Sequence, residues 1–392
     1  MELKKYKLGD VADIVNGATP STHNSENYDG SIIWITPKDL SGQKQKIIRR
    51  GQRNISEIGF NNCSAQMIPP YNILMSSRAP IGLLAINENE CCTNQGFKNL
   101  VLDKSICDTD YMYYYLQFHM KEIEALGSGT TFKEISKSAL QGIEIRLPDL
   151  EKQRDIAKCL SDLDRKIELN KQINDNLEAM AKQLYDYWFV QFDFPNEEGK
   201  PYKSSGGAMV WNEKLKREIP KGWNFCFLEN LLIIRNGRDH KHLADGIYPV
   251  YGSGGEIRKV SEYLYDGESV LMPRKGSLNN IMYVNEAFWT VDTMFYSEMK
   301  QSNCAKYIFY TIKDIDFTRW DSGTGVPSMT SSTLYSIKLV KPQSEILKKF
   351  DEVISPLFEH MKHISEQNSF LTKQRDKLLP LLMNGQASVN SD

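Results

Sequence analysis

The fold is decided by the stretch from residue 128 to residue 184, SGTTFKEISKSALQGIEIRLPDLEKQRDIAKCLSDLDRKIELNKQINDNLEAMAKQL. Adding 194 to each number gives a second stretch that matches the first without a gap. The matching pairs include Ser128 with Ser322, Ser138 with Ser332, Pro148 with Pro342, Glu151 with Glu345, Asn174 with Asn368 and Leu184 with Leu378. Each copy joins the end of a globular segment to a helical pattern, so the sequence predicts an internal repeat with pseudo-two-fold organisation.

The sequence predicts an α+β chain of two strand-rich mixed blocks and two long helices. Short apolar runs at 31–36 and 72–75, bounded by turn residues, predict buried strands, and the spacing over 111–125 predicts a helix. A polar stretch around Ser204-Ser205-Gly206-Gly207 predicts an extended linker. The predicted order is a first block at 1–147, a central helix at 148–194, a linker at 195–222, a second block at 223–341 and a C-terminal helix at 342–392.

Apolar residues of both helices step by four and three along the chain, which is the pattern of a coiled-coil seam. The seam residues are Ile156, Leu160, Leu163, Ile167, Asn174, Leu177 and Leu184 in the central helix, and Phe350, Ile354, Leu357, Met361, Asn368, Leu371 and Leu378 in the C-terminal helix. If the seams pack together, connectivity makes the helices an antiparallel coiled coil, and Asn174 and Asn368 fix its register. The alternative is two unrelated surface helices, each packed on its own block.

Composition bounds the class of protein without identifying it. The chain has 392 residues, 41% hydrophobic and 25% charged, which suits two or three ordinary domains. Its net charge of −2 gives no argument for nucleic acid, so DNA contact would have to rest on local clusters. The seven scattered cysteines include no CxxC pair, and we find neither a signal peptide nor an apolar run of membrane-spanning length. These features predict reduced thiols and a cytoplasmic protein.

Catalytic motifs are mostly missing. No GxxxxGK[ST] loop is present, and the glycine-rich turns at 127–129 and 252–255 lack the third glycine of a dinucleotide fingerprint. Ile68-Pro69-Pro70-Tyr71 resembles a loop of amino-methyltransferases, but Ile68 cannot accept a hydrogen bond, so we predict a structural turn. His360 and His363 have metal-ligand spacing without a third ligand nearby, so we expect surface histidines. No metal or cofactor is therefore predicted on this chain.

Local basic clusters supply the candidates for DNA contact. Lysine and arginine neutralise phosphates, and forked or bifunctional side chains such as arginine, asparagine and glutamine distinguish base edges. The candidate residues are Lys38, Lys46, Arg49, Arg50, Arg78, Asn94, Gln95, Ser128, Thr130 and Thr131 in the first block, and Arg235, Arg238, Lys241, Ser253, Arg274, Lys275 and Thr324 in the second. A solvated charged face is the alternative for each single residue.

Several motifs in order give the chain a resemblance to a known family. They are Leu8-Gly9-Asp10-Val11 with Asn16-Gly17, Ser128-Gly129-Thr130-Thr131, Leu147-Pro148 followed by Glu151-Lys152-Gln153, Leu184-Tyr185-Asp186-Tyr187-Trp188, and Ile219-Pro220-Lys221-Gly222-Trp223. The chain resembles the specificity (S) subunit of type I restriction–modification enzymes. One departure is Lys152, which separates a glutamate and a glutamine that are often adjacent in the family, and weakens any specific role for Gln153.

The resemblance implies a non-catalytic, sequence-specific DNA-binding subunit. Each block would be a target recognition domain for one half of a bipartite, asymmetric DNA sequence, and the helices would set the distance between the halves. The partners would be double-stranded DNA, two methyltransferase (M) subunits that methylate adenine, and restriction (R) subunits held through them. AdoMet, ATP and Mg would be bound only by those partner subunits. The competing hypotheses are a self-sufficient methyltransferase or nuclease, and a coiled-coil scaffold that binds no DNA.

Overall fold

The computed structural model describes residues 2–43, 45–78, 80–128, 133–320, 327–387 and 389. The chain forms two compact units, each of which combines one block with part of both long helices. The first unit is Met1–Gln172 with Ser365–Asp392, and the second unit is Ile173–Ile364. Each helix is therefore divided between the units, whereas the sequence placed domain boundaries at the helix starts.

The first unit is built on three sheets. Its five-stranded sheet has the order Ala12–Asn16, Lys98–Leu102, Ile73–Ser77, Ile81–Asn87, Ile47–Ile48. Its three-stranded sheet has the order Arg53–Ile55, Tyr28–Ile35, Cys92–Thr93, and an antiparallel pair joins Lys4–Lys7 to Glu144–Leu147. Its short helices are Leu8–Val11, Pro37–Ser41, Glu57–Asn61, Thr109–Phe118, Met120–Ala125 and Lys137–Gln141, with a 3-10 turn at Ser25–Asn27.

The second unit repeats this plan with a continuous larger sheet. The order of its six strands is Leu232–Asn236, Met294–Met299, Tyr265–Pro273, Met282–Thr290, Asp245–Gly252, Gly255–Val260. An antiparallel pair of Asn224–Phe227 and Lys338–Lys341 corresponds to the first unit's terminal pair. Its short helices are Ala305–Lys313 and Ser331–Tyr335, with 3-10 turns at Leu228–Asn230 and Phe317–Trp320.

The two long helices pack against each other in both units. The central helix spans Leu150–Tyr185 and continues as a π-helix over Asp186–Val190, and the C-terminal helix spans Ser344–Met383. In the first unit, Asn368 Nδ2 donates to the Ile167 carbonyl at 3.3 Å. In the second unit, Asn174 Nδ2 donates to the Met361 carbonyl at 3.4 Å. These bonds are related by the 194-residue repeat, and they confirm antiparallel packing over the alternative of two unrelated helices.

Every predicted seam residue is buried or half-buried, but the seam has two kinds of neighbour. Ile156 and Leu160 join the hydrophobic core of the first block, and Phe350 and Ile354 join that of the second. Towards the middle of the helices, polar contacts are added to the apolar packing. In the first unit, Asn170 donates to Asn368 Oδ1 at 2.9 Å. The helix ends therefore belong to the block cores, which explains why the compact units cut across both helices.

The segment predicted to be an extended linker is folded, so that prediction was wrong. It contains an antiparallel hairpin of Met209–Asn212 and Arg217–Pro220. Upstream of the hairpin, the ring of Phe194 stacks between those of Tyr202 and Trp223, with ring centroids 4.7 Å and 4.9 Å apart. Asp193 accepts hydrogen bonds from Ser204 N and Oγ at 2.7 and 2.6 Å. Aromatic packing thus orders a stretch whose glycine and serine content suggested an extended linker.

Two other local expectations need correction. The helix predicted over 111–125 is two helices, because the chain turns at His119, which ends Thr109–Phe118 and precedes Met120–Ala125. Gln153 also has a specific role, although the intervening Lys152 argued against one. Its buried side chain accepts from Asp108 N at 2.9 Å and donates to the Ile106 and Pro148 carbonyls at 3.0 and 2.9 Å. The glutamine therefore fastens the first turn of the central helix to the first block.

A search of the described helices for a membrane span found none with the necessary length and apolar character.

Candidate nucleic-acid interface

In the first block, the candidates Arg78, Asn94 and Gln95 lie at one end of the central sheet strands. Strand Ile73–Ser77 ends immediately before Arg78, and Ser77 N donates to the Gly96 carbonyl at 2.7 Å. Gly96 N in turn donates to Asn94 Oδ1 at 2.9 Å, and Gln95 Oε1 accepts a hydrogen bond from Thr19. Among the described residues, the Asn94 amide NH2 has no hydrogen-bond partner.

Lys38 belongs to the same surface. A Cβ atom at Gly96 would lie 3.1 Å from Pro37 Cγ and 3.7 Å from Arg78 Nε, so helix Pro37–Ser41 and Arg78 meet at this glycine. Lys38 is exposed in that helix, and no described residue forms an ion pair with it. We call Lys38, Arg78, Asn94 and Gln95 the first polar cluster.

Glu134 and its backbone partner Ser128 lie beside this cluster. Ser128 and Glu134 exchange backbone hydrogen bonds of 3.1 and 3.0 Å, and Arg78 forms a β-bridge with Glu134. The Glu134 carboxylate lies 3.9 Å from the Arg78 guanidinium and 3.2 Å from Lys98 Nζ. Arg78 is thus partly neutralised while its side chain remains 36% exposed. The candidates Thr130 and Thr131 lie outside the described residues.

The second block brings its candidates together at the equivalent place. Met329 N donates to the Arg274 carbonyl at 2.8 Å, just as Ile135 N donates to the Ser77 carbonyl at 3.1 Å in the first block. A Cβ atom at Gly276 would lie 2.9 Å from Ser253 Oγ, which places the Ser253 turn beside Lys275. We call Ser253, Arg274 and Lys275 the second polar cluster. Thr324 lies outside the described residues.

The two clusters differ in their balance of charge. Within the described part of the chain, no carboxylate forms an ion pair with Arg274 or Lys275, whereas Arg78 has Glu134 beside it. The Arg274 guanidinium lies 6.0 Å from the Phe295 ring centroid, a cation–π distance. Cations that have no carboxylate partner among the described residues suit phosphate contact, because no described carboxylate offsets their charge.

Arg238 and Lys241 lie in the loop that follows strand Leu232–Asn236. Arg238 N donates to the Thr290 carbonyl at 2.8 Å, and the Arg238 carbonyl accepts from Trp289 Nε1 at 2.9 Å. The loop is thereby attached to the end of strand Met282–Thr290, with both cationic side chains exposed. Neither has an ion-pair partner in the ranges that the structure describes.

Besides Arg78, three sequence candidates form ion pairs with other described residues. Lys46 is the clearest correction, because its side chain is only 15% exposed and its Nζ lies 2.5 Å from Asp110 and 2.8 Å from Ser161 Oγ. Arg235 forms a two-pronged pair with Glu298 at 2.9 and 3.2 Å, and this hydrogen bonding raises the pKa of the guanidinium. Arg49 pairs with Glu88 at 2.6 Å but stays largely exposed. Lys46 therefore holds the first block to the central helix, and we remove it from the interface.

Comparison with known proteins decides the family. The family model described as the type I restriction modification DNA specificity domain matches residues 1–179 and 220–367. The chain belongs to this family. It is 32% identical to the type I restriction enzyme MjaIX specificity subunit of Methanocaldococcus jannaschii, over 98% of this chain and 93% of that protein. It is 23% identical to the HindI specificity subunit of Haemophilus influenzae, over 98% of this chain and 99% of that protein.

The fold of this specificity-family chain is also found in a solved structure. The type I restriction–modification S subunit from M. genitalium superimposes with a TM-score of 0.65 at 19% identity, covering 97% of this chain and 96% of that one. The likeness confirms the α+β fold with two strand-rich blocks and long helices.

Features that suggested catalysis have structural explanations in this family member. Ile68 is fully buried and exchanges backbone hydrogen bonds with Cys91 at 2.8 and 3.2 Å, so the proline-rich turn is structural, as predicted. His360 and His363 are exposed on the C-terminal helix. A search of the described residues for three or more histidine, cysteine or acidic side chains able to hold a metal found none.

Sequence reasoning missed an ion pair that recurs in equivalent strands of the two blocks. Arg53 binds Asp29 through two hydrogen bonds of 3.1 Å, and Arg258 lies 3.4 Å from Asp245. The hydrogen bonds from Arg53 hold the pKa of the Asp29 carboxyl below its usual range. The sequence did contain a sign of this pair, because Asp29 and Asp245 are each followed by a glycine. The match is only two residues long and lies outside the ungapped 194-residue repeat, so it was not recognised.

Proposed function

We propose that this chain is the DNA-recognition subunit of a type I restriction–modification complex and has no catalytic role of its own. The first block, residues 1–147, binds one half of a split double-stranded target, and the second block, residues 223–341, binds the other. The observation that carries this proposal is the pair of polar clusters, which combine cations with hydrogen-bonding side chains at equivalent positions of two repeats. Membership of the specificity family supports the same assignment.

The composition of the clusters favours an asymmetric target. The first offers the Arg78 guanidinium and the Asn94 amide, which suit guanine and adenine edges. The second offers Arg274, Lys275 and a serine on a glycine-rich turn, which suits phosphate contact and a close approach of the backbone. Two copies of one frame with different side chains would therefore recognise different half-sites.

The long helices would fix the distance between half-sites and carry the partner subunits. In the second unit, the central helix and its π-helical end expose Met180, Tyr187 and Val190, with 55%, 37% and 51% of each residue accessible. Exposed apolar side chains on a helix are typical of protein contact. We assign this face to a methyltransferase (M) subunit, two of which would methylate adenine and recruit the restriction (R) subunits. AdoMet, ATP and Mg would then be bound by those partners, in the cytoplasm.

Exchange of one block tests the proposal. Residues 1–147 are replaced by the equivalent block of a relative with a different target, joined at Pro148, and the chimaera is expressed with its M subunit. Sequencing of methylated adenines in the host should show that one half of the target changes while the other half and its M-dependent methylation persist. The reciprocal exchange of residues 223–341 is the matched control and should change the opposite half. Loss of both halves in either chimaera would contradict independent recognition.

A further inference from the structure

The first block contains an insertion at a place where the second block has a tight turn. Strand Tyr28–Ile35 pairs antiparallel with Arg53–Ile55, and strand Asp245–Gly252 pairs in the same way with Gly255–Val260. In the second block, only Ser253 and Gly254 connect the two strands. In the first block, residues 36–52 connect them. We call residues 36–52 the insertion loop.

The insertion loop is held in place from within. Asp39 Oδ2 accepts hydrogen bonds from Thr36 N at 2.8 Å and Thr36 Oγ1 at 2.7 Å, at the start of helix Pro37–Ser41. Asp39 Oδ1 accepts from Gln52 N at 2.8 Å, so a single carboxylate joins the two ends of the loop. A Cβ atom at Gly51 would lie 2.4 Å from the Trp34 carbonyl oxygen, so only glycine fits this close return to the strand. The backbone that carries Gln52 is therefore preorganised.

Side chains beneath the loop have partners inside the protein. Arg53 is bound by Asp29 and lies over the Tyr28 ring, with its guanidinium 4.0 Å from the ring centroid. Asn54 Nδ2 donates to the Gly30 carbonyl at 3.1 Å. Asp29, Gly30, Arg53 and Asn54 line an open cavity of about 600 Å³. These four residues are a structural part of its lining, since they bond to one another.

Two side chains on the cavity wall have no such partners. Arg50 and Gln52 are both exposed and line the cavity, and neither side chain bonds to any residue in the described ranges. A guanidinium and a carboxamide are the two side-chain groups that form paired hydrogen bonds with guanine and adenine edges, respectively. Helix Pro37–Ser41 begins beside Arg78 of the first polar cluster, so the insertion loop extends that surface.

We propose that Gln52 and Arg50 determine the specificity of the first half-site, with Gln52 recognising an adenine and Arg50 a guanine. The inference rests on the proposed function and adds to it the residues that choose bases in one block. Asp39 is a positioning residue in this arrangement, because both of its carboxylate oxygens accept hydrogen bonds from the loop, one of them from Gln52 N. The second block, which lacks the insertion loop, would recognise its half-site by other contacts.

The test uses the full chain in complex with its M subunit and a library of targets randomised over both half-sites. Gln52→Ala should lose roughly 5- to 150-fold discrimination at one base pair of the first half-site, the equivalent of ~1–3 kcal/mol for a paired contact. Preferences in the second half-site and the salt dependence of binding should not change. Gln117→Ala, which removes an exposed glutamine from helix Thr109–Phe118, is the matched control and should leave all preferences intact.

A charge-conserving variant separates base recognition from phosphate contact. Arg50→Lys keeps the positive charge but not the planar fork, so discrimination at a second base pair should fall while the salt dependence stays as in wild type. Full discrimination in Arg50→Lys would overturn the assignment of a guanine to Arg50, and unchanged preferences in Gln52→Ala would overturn the assignment of Gln52. Both results leave the proposed function standing. That function fails instead if the unaltered complex selects no bipartite sequence from the library.

Discussion

The two blocks place opposite charges at the same position of an equivalent helix. Asp110 is the second residue of helix Thr109–Phe118, and Lys306 is the second residue of helix Ala305–Lys313. A buried tyrosine follows each of them. The repeat therefore keeps a helix and a buried tyrosine at this place while reversing the charge beside them.

Each of these charges is matched by different partners. Asp110 receives Lys46 from the insertion loop of its own block, at 2.5 Å. Lys306 lies 2.6 Å from Glu268 and 2.8 Å from Asp351 of the C-terminal helix, and its side chain is only 4% exposed. The comparison teaches that the two blocks share a backbone frame and attach it to the helices by separate polar networks. Surfaces on such a frame are free to diverge, which a protein with an asymmetric target requires.

The largest effect is expected from lengthening both helices at repeat-related points. Insertion of one heptad near Ile167 and one near Met361 keeps the seam in register and adds ~10 Å, or about 3 base pairs of B-DNA. The heptad turns the helix frame by only ~20°, whereas the DNA rotates by roughly 100° over those base pairs. We therefore expect a target whose gap is longer by about 2–3 base pairs, bound more weakly than the original.

Selection from a library of gap lengths measures this outcome. Both half-site sequences should persist, because neither block is altered. Insertion of a heptad in the central helix alone is the control and should impair folding, since it shifts one seam against the other. Retention of the original gap at full affinity would mean that the helices do not set the spacing.

The next largest effect concerns the reversed charges. Lys306→Ala leaves Glu268 and Asp351 without their cation at a buried site, and loss of one member of such a network costs about 3–5 kcal/mol. Lys46→Ala should cost less, roughly 1–2 kcal/mol. Its pair is more exposed, and Asp110 also accepts a hydrogen bond from Tyr71. Chemical denaturation of both variants measures the free energies of unfolding, and equal losses would contradict the difference between the two networks.

Local patterns in the sequence were enough to predict the frame. The 194-residue offset, the seam and the antiparallel helices follow from spacing alone, and strand ends rich in turn residues pointed to Arg78, Asn94 and Arg274. These features depend on the spacing and order of residues along the chain. Both can be read from the sequence without a structure.

Contacts between distant residues account for what the sequence could not predict. Lys46 was a plausible DNA contact by sequence, but the structure shows that it binds the carboxylate of Asp110, 64 residues away along the chain. The stretch at 195–222 was predicted to be an extended linker because its composition gives no sign of the Phe194–Trp223 stack that helps to order it. The insertion loop could be recognised only after the strands on both sides of it had been paired with their counterparts in the second block.

The smallest effect tests the difference in charge between the two polar clusters. Replacement of Arg274 and Lys275 by alanine should weaken DNA binding and reduce the slope of log affinity against log salt by about one unit for each phosphate that is no longer neutralised. Arg78→Ala should change the slope by less than one unit, because Glu134 already lies 3.9 Å from that guanidinium and compensates part of its charge.

The double variant Lys348→Ala with Lys349→Ala is the control, since it removes the same charge from exposed positions of the C-terminal helix, and its slope should match wild type. Titrations at several salt concentrations give all three slopes. An unchanged slope after replacement of Arg274 and Lys275 would remove the second polar cluster from the interface. A larger change in slope for Arg78→Ala than for the Arg274 and Lys275 variant would mean that the first polar cluster neutralises more phosphate charge than the second.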